Sequence, residues 1–286
     1  MFILKTAHKM ALARGASSCI LFTRRLCGLT NPVIVRRGGI WWNLDLREGI
    51  DLSILLLGGF EPKTLNLYKS ALKPGDVVLD TGANIGSNTL QLALLVGERG
   101  RVIAFEPTRY AIEKLAENIK LNPDLIDRIS TNQVMLVAND EEILESKIYS
   151  SWPLFEPKEN VHPQHLGKLM DTDGAVTMTL DHAVKNFQIK KIDFIKIDVD
   201  GNEYSVLMGG IETLHSHKLP ILMEFAPYLF NTKSRQFENM IDLFMELGYS
   251  LYDADTGKPL PMDPDSLRAL IPVGGSRKCT FNFLKN

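Results

Sequence analysis

Residues 77–93 read VVLDTGANIGSNTLQLA: a short apolar run closes on an acid, passes Gly82 and Gly86, and enters an apolar helical pattern. Strand, glycine-bearing turn and helix in that order open a βαβ unit. Outward from this stretch the alternation continues. Strands are predicted at Val77–Asp80, Val102–Glu106, Gln133–Val137, Phe194–Val199 and Ile221–Phe225. Helices are predicted at Ser87–Val96, Tyr110–Leu121, Glu203–Leu214 and Arg235–Leu247, and an earlier one at Glu61–Leu72 with Pro62 in its first turn. Ile40–Leu46 reads as a short strand, and the tail offers Tyr249–Asp253 and Cys279–Leu284. Such alternation specifies an α/β fold on a parallel sheet.

The chain has 286 residues, 45% apolar and 23% charged, which excludes wholesale disorder, collagen and coiled coil. The length suits two domains or one α/β domain with extensions. Residues 1–44 carry seven Lys or Arg and no Asp or Glu, leaving 25 basic against 34 acidic residues in the remainder, a net of −9. We therefore divide the chain into a basic helical extension, 1–39, and a main domain, 40–286, with no global basic balance that argues for nucleic acid. The extension holds Lys5, Lys9, Arg14, Arg24 and Arg25 among apolar residues. An organellar transit peptide or a basic helix touching anionic lipid fits this composition; a helix packed on the domain, in the cytoplasm, is the preferred reading. Cys19, Cys27 and Cys279 have no zinc spacing and fit a reducing compartment. No apolar run approaches the ~20 residues that span a bilayer. Residues 146–176, with Pro153, Pro157 and Pro163, read as a surface insertion, either a lid or a loose loop.

The acids fall in a pattern. Asp80, Glu106 and Asp198 end predicted strands, Glu224 lies near the end of another, and Asp140 follows a third. Ligands of open parallel sheets bind outside the carboxyl ends of the strands, and acids gathered there need hydrogen-bond donors, a cationic ligand or a metal. In the turn Asp80-Thr81-Gly82-Ala83-Asn84-Ile85-Gly86, Asn84 stands where the dinucleotide fingerprint has glycine, and Asp80 puts a carboxylate where phosphate charge would gather. Both disfavour NAD or FAD. A cofactor with an amino group, ribose hydroxyls and a positive centre fits better, and S-adenosylmethionine has these groups. Glu106, twenty residues past Gly86 and followed by Pro107, is placed to accept hydrogen bonds from the ribose hydroxyls. Asp140 is a candidate for the adenine amino group, or a solvated helix start.

Together these residues resemble motifs I and II of the class I S-adenosylmethionine-dependent methyltransferases. Phe60-Glu61-Pro62, residues 77–93, GRVIAFEP (100–107), NIKLN (118–122), TLDHAV (179–184) and IDFIKIDVDGNEYSVLMGG (192–210) resemble the FkbM family in order. IKIDVDGNE is the most specific marker; it has Asp200 where that family usually has Glu. The resemblance implies a Rossmann-like, doubly wound, mostly parallel seven-stranded sheet with one antiparallel strand, for which 279–284 is well placed. It implies O-methyl transfer onto sugar or polyketide hydroxyls, and a role for Glu61 at the amino-acid end of the cofactor.

An alcohol acceptor is helped by a general base. Asp198 is the first candidate, with Glu224 facing it and Glu203 opening the next helix; two facing carboxylates imply a raised pKa for one of them or a Mg²⁺ site. The reading preferred is a base without a metal, acting on a hydroxyl of a small metabolite, glycan or lipid-linked sugar. Its rivals are a metal-dependent O-methyltransferase using Asp198 and Glu224, and a cofactor-binding module without turnover that docks a partner or membrane through the basic N-terminus.

Overall fold

The computed structural model describes residues 6–163, 166–230 and 234–283; Lys5, His165 and the Leu284 end of the last predicted strand lie outside them. Seven strands build the central sheet: β1 (Val77–Thr81), β2 (Arg101–Phe105), β3 (Ile129–Asn132), β4 (Phe194–Ile197), β5 (Ile221–Phe225), β6 (Tyr249–Asp253) and β7 (Arg277–Phe283). Their order is β3-β2-β1-β4-β5-β7-β6. Each neighbouring pair from β3 through to β5 is parallel, while β7 runs antiparallel to both β5 and β6. This is the mostly parallel seven-stranded sheet with one antiparallel strand.

Side chains alternate across the sheet because successive strand residues point to opposite faces. Leu79, Ile195, Ile197, Ile221 and Met223 face one core, which α6 (Leu180–Asn186), α7 (Glu203–Met208), α8 (Ile211–His217), α9 (Gln236–Glu246) and α10 (Pro264–Leu270) complete. Val78, Phe194 and Leu222 face the other, built with α2 (Gly49–Leu57), α3 (Pro62–Ala71), α4 (Thr89–Val96) and α5 (Arg109–Lys120). A hairpin, Val33–Arg37 with Ile40–Leu44, adds to that second layer, and α1 (Thr6–Leu26) packs outside it. Trp42 is buried and Trp41 exposed, as adjacent strand residues require.

Three expectations need correction. The third strand of the sheet is Ile129–Asn132, whereas Val134–Val137 pairs with Val176–Thr179 in a separate parallel ribbon. Strand β3 is an edge strand, so Ser130, Thr131 and Asn132 meet solvent and lack the apolar signature that drew attention to the next segment. The helix expected over Glu203–Leu214 breaks at Gly209-Gly210, where the chain runs so close to its neighbour that a Cβ on Gly209 would lie 2.1 Å from the Val137 carbonyl oxygen. Finally, the described part of 146–176 carries strands that the sequence does not signal. Lys147–Ser150 pairs antiparallel with Lys168–Asp171, and backbone hydrogen bonds join Gly49 N–H to Trp152 O and Leu154 N–H to Arg47 O.

Candidate active site

The strand order reverses between β1 and β4, where chain outside the carboxyl ends of the strands leaves a crevice. There the loops after β1, β2 and β4 and the end of β5 line an open cleft. Its far wall comes from the insertion, through Ile148 to Trp152. Glu48, at the N-terminus of α2, anchors that wall by accepting hydrogen bonds from Ser151 Oγ at 3.2 Å and Lys168 Nζ at 2.7 Å.

The wall formed by β1 and β2 is a backbone construction. Gly82 has φ +74°, and a Cβ there would come within 1.9 Å of the Asp198 carbonyl oxygen; the β1 and β4 chains can approach this closely only at glycine. Asn84 also has positive φ, 49°, and its Oδ1 accepts the Ile85 N–H at 2.8 Å. Asparagine tolerates this region better than most residues. Glu106 is buried in the gap: Oε2 accepts the Asn84 N–H at 2.9 Å, and Oε1 accepts the Thr108 N–H at 2.9 Å and its hydroxyl at 2.6 Å. Burial raises the Glu106 carboxyl, and these hydrogen bonds work against the rise. Beneath the turn, fully buried Asp80 accepts the Thr89 hydroxyl at 2.6 Å and faces Lys196 Nζ at 3.1 Å. Lys196 also donates to the carbonyls of Thr81 and Gly82 at 3.1 and 2.8 Å, fixing the entry to the turn.

The opposite wall is a side-chain construction. Lys278 on β7 lies in register with Glu224 on β5, and its Nζ reaches Asp198 Oδ2 at 2.6 Å and Glu61 Oε2 at 3.3 Å. Burial opposes the ammonium charge, but the carboxylates of Asp198, Glu61 and Glu224 hold Lys278 well above its ordinary value. Burial also works against an ionised Asp198; Lys278, Lys196 and a hydrogen bond from Glu224 outweigh it and keep that carboxyl well below the carboxylate range. Glu224 moves the other way, raised by burial and by the negative charge of Asp198. The facing pair is thus driven apart, Asp198 downward and Glu224 upward. Burial, then the charges of Asp198 and Glu203, push Asp200 up to about 7, and Asp200 lines the same cleft with φ 51°.

The structure therefore brings Glu61, Gly82, Asn84, Glu106, Pro107, Asp198 and Glu224 onto one cleft. Asp80, Ala83, Gly86 and Glu203 are buried behind its walls and do not line it. Glu203 Oε1 accepts the Gly201 N–H at 3.2 Å, which shapes the turn carrying Asp200; burial raises its carboxyl to about 7. Asp140 is a correction. It is exposed, accepts the Thr179 N–H at 2.5 Å, and pairs with His182 at 3.1 Å in a separate surface depression. The chain enters the ribbon after β3 earlier than expected, which carries Asp140 away from the cleft. Lys278 escaped the sequence reading because only the β5–β7 register brings it to the site. Asp200 was visible in IDVDGNE, although nothing in the sequence gave its environment.

The lining suits a cofactor without phosphate. Among the described residues, Glu61, Glu106, Asp198, Asp200 and Glu224 line the cleft, no arginine does, and the one lysine of the lining, Lys196, is already engaged. A pyrophosphate would face carboxylates without a cation, whereas a sulfonium, an ammonium and ribose hydroxyls would face acceptors.

Comparison with known proteins agrees. Residues 80–251, more than half of the chain, match the methyltransferase FkbM domain. The chain is 28% identical over 181 residues to the hexuronic acid methyltransferase AglP of Haloferax volcanii, covering 62% of each protein. It is 32% identical over 103 residues, 32% of this chain and 54% of the relative, to a probable cobalt-precorrin-6B C(15)-methyltransferase of Sulfurisphaera tokodaii. The chain thus spans less than two thirds of the length of these relatives. The FkbM methyltransferase structure from Methylobacillus flagellatus superposes with a TM-score of 0.46 at 18% identity, over 75% of this chain and 47% of that one. With the domain match running from the end of β1 into β6, and so through Glu106, Asp198, Asp200 and Glu224, this chain belongs to the FkbM methyltransferase family.

Proposed function

We propose that this enzyme methylates a hydroxyl group of a saccharide, free, in a glycan or linked to a lipid, with Asp200 as the proton acceptor and Asp198 as the group that orients the hydroxyl. The observation that carries the reading is the pairing of two unlike carboxyls on one cleft: Asp198 held ionised by Lys278, and Asp200 raised to about 7. Glu106 would accept the ribose hydroxyls, and Glu61 with the Gly82–Asn84 turn would hold the amino-acid end of the cofactor. Bound S-adenosylmethionine supplies a methyl group on a sulfonium. Asp198 would accept a hydrogen bond from the acceptor hydroxyl and so orient it for attack on the methyl group. Asp200, whose raised pKa suits it to work near neutrality, would take the hydroxyl proton as the methyl group passes from sulfur to the hydroxyl oxygen, the S–C bond breaking to leave S-adenosylhomocysteine as the neutral thioether. Lys278 occupies the space between Asp198, Glu61 and Glu224 with a fixed positive charge, which favours this scheme over a divalent cation bridging Asp198 and Glu224. Trp152 and Tyr149 give the wall opposite the donor an aromatic face suited to a sugar ring. The relative named for hexuronic acid supports a sugar acceptor. The free thiols of Cys19 and Cys27 support a reducing compartment such as the cytoplasm.

The test is incubation with S-adenosylmethionine and a panel of hexoses, hexuronic acids and their glycosides, with and without a chelator. S-adenosylhomocysteine release and product mass are followed. The expected product carries a methyl ether and forms equally with chelator. Methylation on carbon or nitrogen, or turnover that the chelator abolishes, would refute the scheme.

A further inference from the structure

Helix α1 has two apolar faces, and the domain covers one of them. Met10 and Ser17 are buried against it, with Ala13, Ala16 and Ile20 partly so. Ser17 Oγ donates to Leu46 O and Arg14 Nε to Leu154 O, both at 2.6 Å, so the helix is bolted at two levels. At 100° per residue, Leu12, Cys19, Phe22 and Leu26 recur along the opposite face. Leu12 is 72% exposed, Phe22 63% and Leu26 72%, and Leu29 and Ile34 extend the exposed apolar surface past the helix end. Scattered exposed apolar residues are ordinary, but a stripe at helical spacing facing water is not.

Cations accompany this surface. Lys9, Arg25, Arg36 and Arg37 are exposed. Among the described residues, none of Lys9, Arg14, Arg24, Arg25, Arg36 and Arg37 forms an ion pair. No acid occurs before Asp45, which is held by Arg47. The positive charge is thus segregated from an otherwise acidic chain and left uncompensated.

We propose that the outer face of α1, with the arginines of the adjoining hairpin, docks this enzyme on an anionic lipid surface. A helix with an apolar stripe and flanking cations lies in the headgroup plane, its stripe in the acyl boundary and its cations at the phosphates. Among the described residues no helix is long and apolar enough to cross a membrane, so the contact is peripheral. A second copy of the chain fits less well, because a two-fold pairing of this face sets cations against cations with no acid to offset them. A nucleic acid would meet the cations and leave the stripe wet. Helix α2 connects this surface to the cleft: Leu52 packs on Met10, while Ile50 lines the cleft. Docking would therefore hold the active site close to lipid-linked acceptors, although the contact itself does not depend on which acceptor is used.

The test is flotation of the full chain with vesicles of phosphatidylcholine alone and of equimolar phosphatidylcholine and phosphatidylserine, at low and high salt. Binding to the anionic vesicles is expected to be at least about tenfold tighter than to the neutral ones and to weaken with salt. The triple variant Leu12→Glu, Phe22→Glu, Leu26→Glu should lose about tenfold or more. Independently, Arg25→Glu, Arg36→Glu and Arg37→Glu should each cost about fivefold, with cofactor affinity by calorimetry unchanged in every variant. Flotation with neither vesicle, equal binding to both, or a dimer by light scattering that the triple variant dissociates, would each overturn the proposal.

Discussion

On the wall of the cleft built by β1 and β2, Glu106 is held by Asn84 and Thr108, 22 and 2 residues away, and two of its three donors are backbone N–H groups. On the wall built by β4, β5 and β7, Asp198 is held by the side chain of Lys278, 80 residues away. The first arrangement leaves Glu106 one local role, bracing two loops while presenting acceptors to the cleft. The second makes the charge of each group depend on its neighbours: Asp198 is pushed down, Glu224 and Asp200 up. A wall of backbone donors fixes one acid in place, and a wall of coupled side chains sets proton affinities that backbone dipoles alone would not.

If the two walls meet at Gly82, Gly82→Ala should damage both. The added Cβ collides with the Asp198 carbonyl in a left-handed conformation, and we expect a loss of about 3–5 kcal/mol in denaturant unfolding with no cofactor binding by calorimetry. Separating the walls is a finer experiment. Glu106→Ala should weaken S-adenosylmethionine binding about 100-fold, whereas Lys278→Met should leave that affinity within a few-fold and lower turnover about 100-fold. The same lysine lowers the proton affinity of Asp200, so Lys278→Met should also move the acid limb of the pH–rate profile upward from about 7. An acid limb that stays in place would break the assignment of Asp200 as base.

A smaller effect reads the coupled wall through stability. Asp200 and Glu203 are raised to about 7, and Asp51, buried beside Lys114, to about 6. Because these folded-state values lie above the unfolded ones, the folded chain binds more protons between about pH 4 and pH 7, and stability falls as pH rises through that window. The melting temperature of the cofactor-free protein should therefore rise by several degrees from pH 8 to pH 5, in scanning calorimetry. Smallest of all, Trp152→Ala on the insertion should raise the acceptor KM several-fold with cofactor affinity unchanged.

The unequal legibility of the two walls has the same cause. Asp80 to Gly86 and Glu106 are read together because a strand–turn–helix has a fixed local geometry, so spacing alone brings a glycine turn and an acid to adjacent strand ends. Asp140 failed on that logic: it required Gln133–Val137 to lie in the main sheet, and the half-solvated edge strand Ile129–Asn132 had no apolar signal to claim the place. The insertion was equally opaque, since its anchors are Glu48, Gly49 and Arg47, about a hundred positions upstream.

By itself, the order of apolar runs and turns determined the α/β architecture, the glycine-bearing first turn and the acids at the strand ends. Those properties rest on periodicity and steric limits that act within some twenty residues. The tertiary structure alone decided which acids carry charge. It brought β7 between β5 and β6, set Lys278 against Glu224 and Asp198, and closed the cleft with the insertion. Proton affinity depends on burial and on charges a few ångströms away, and those distances exist only once the chain has folded.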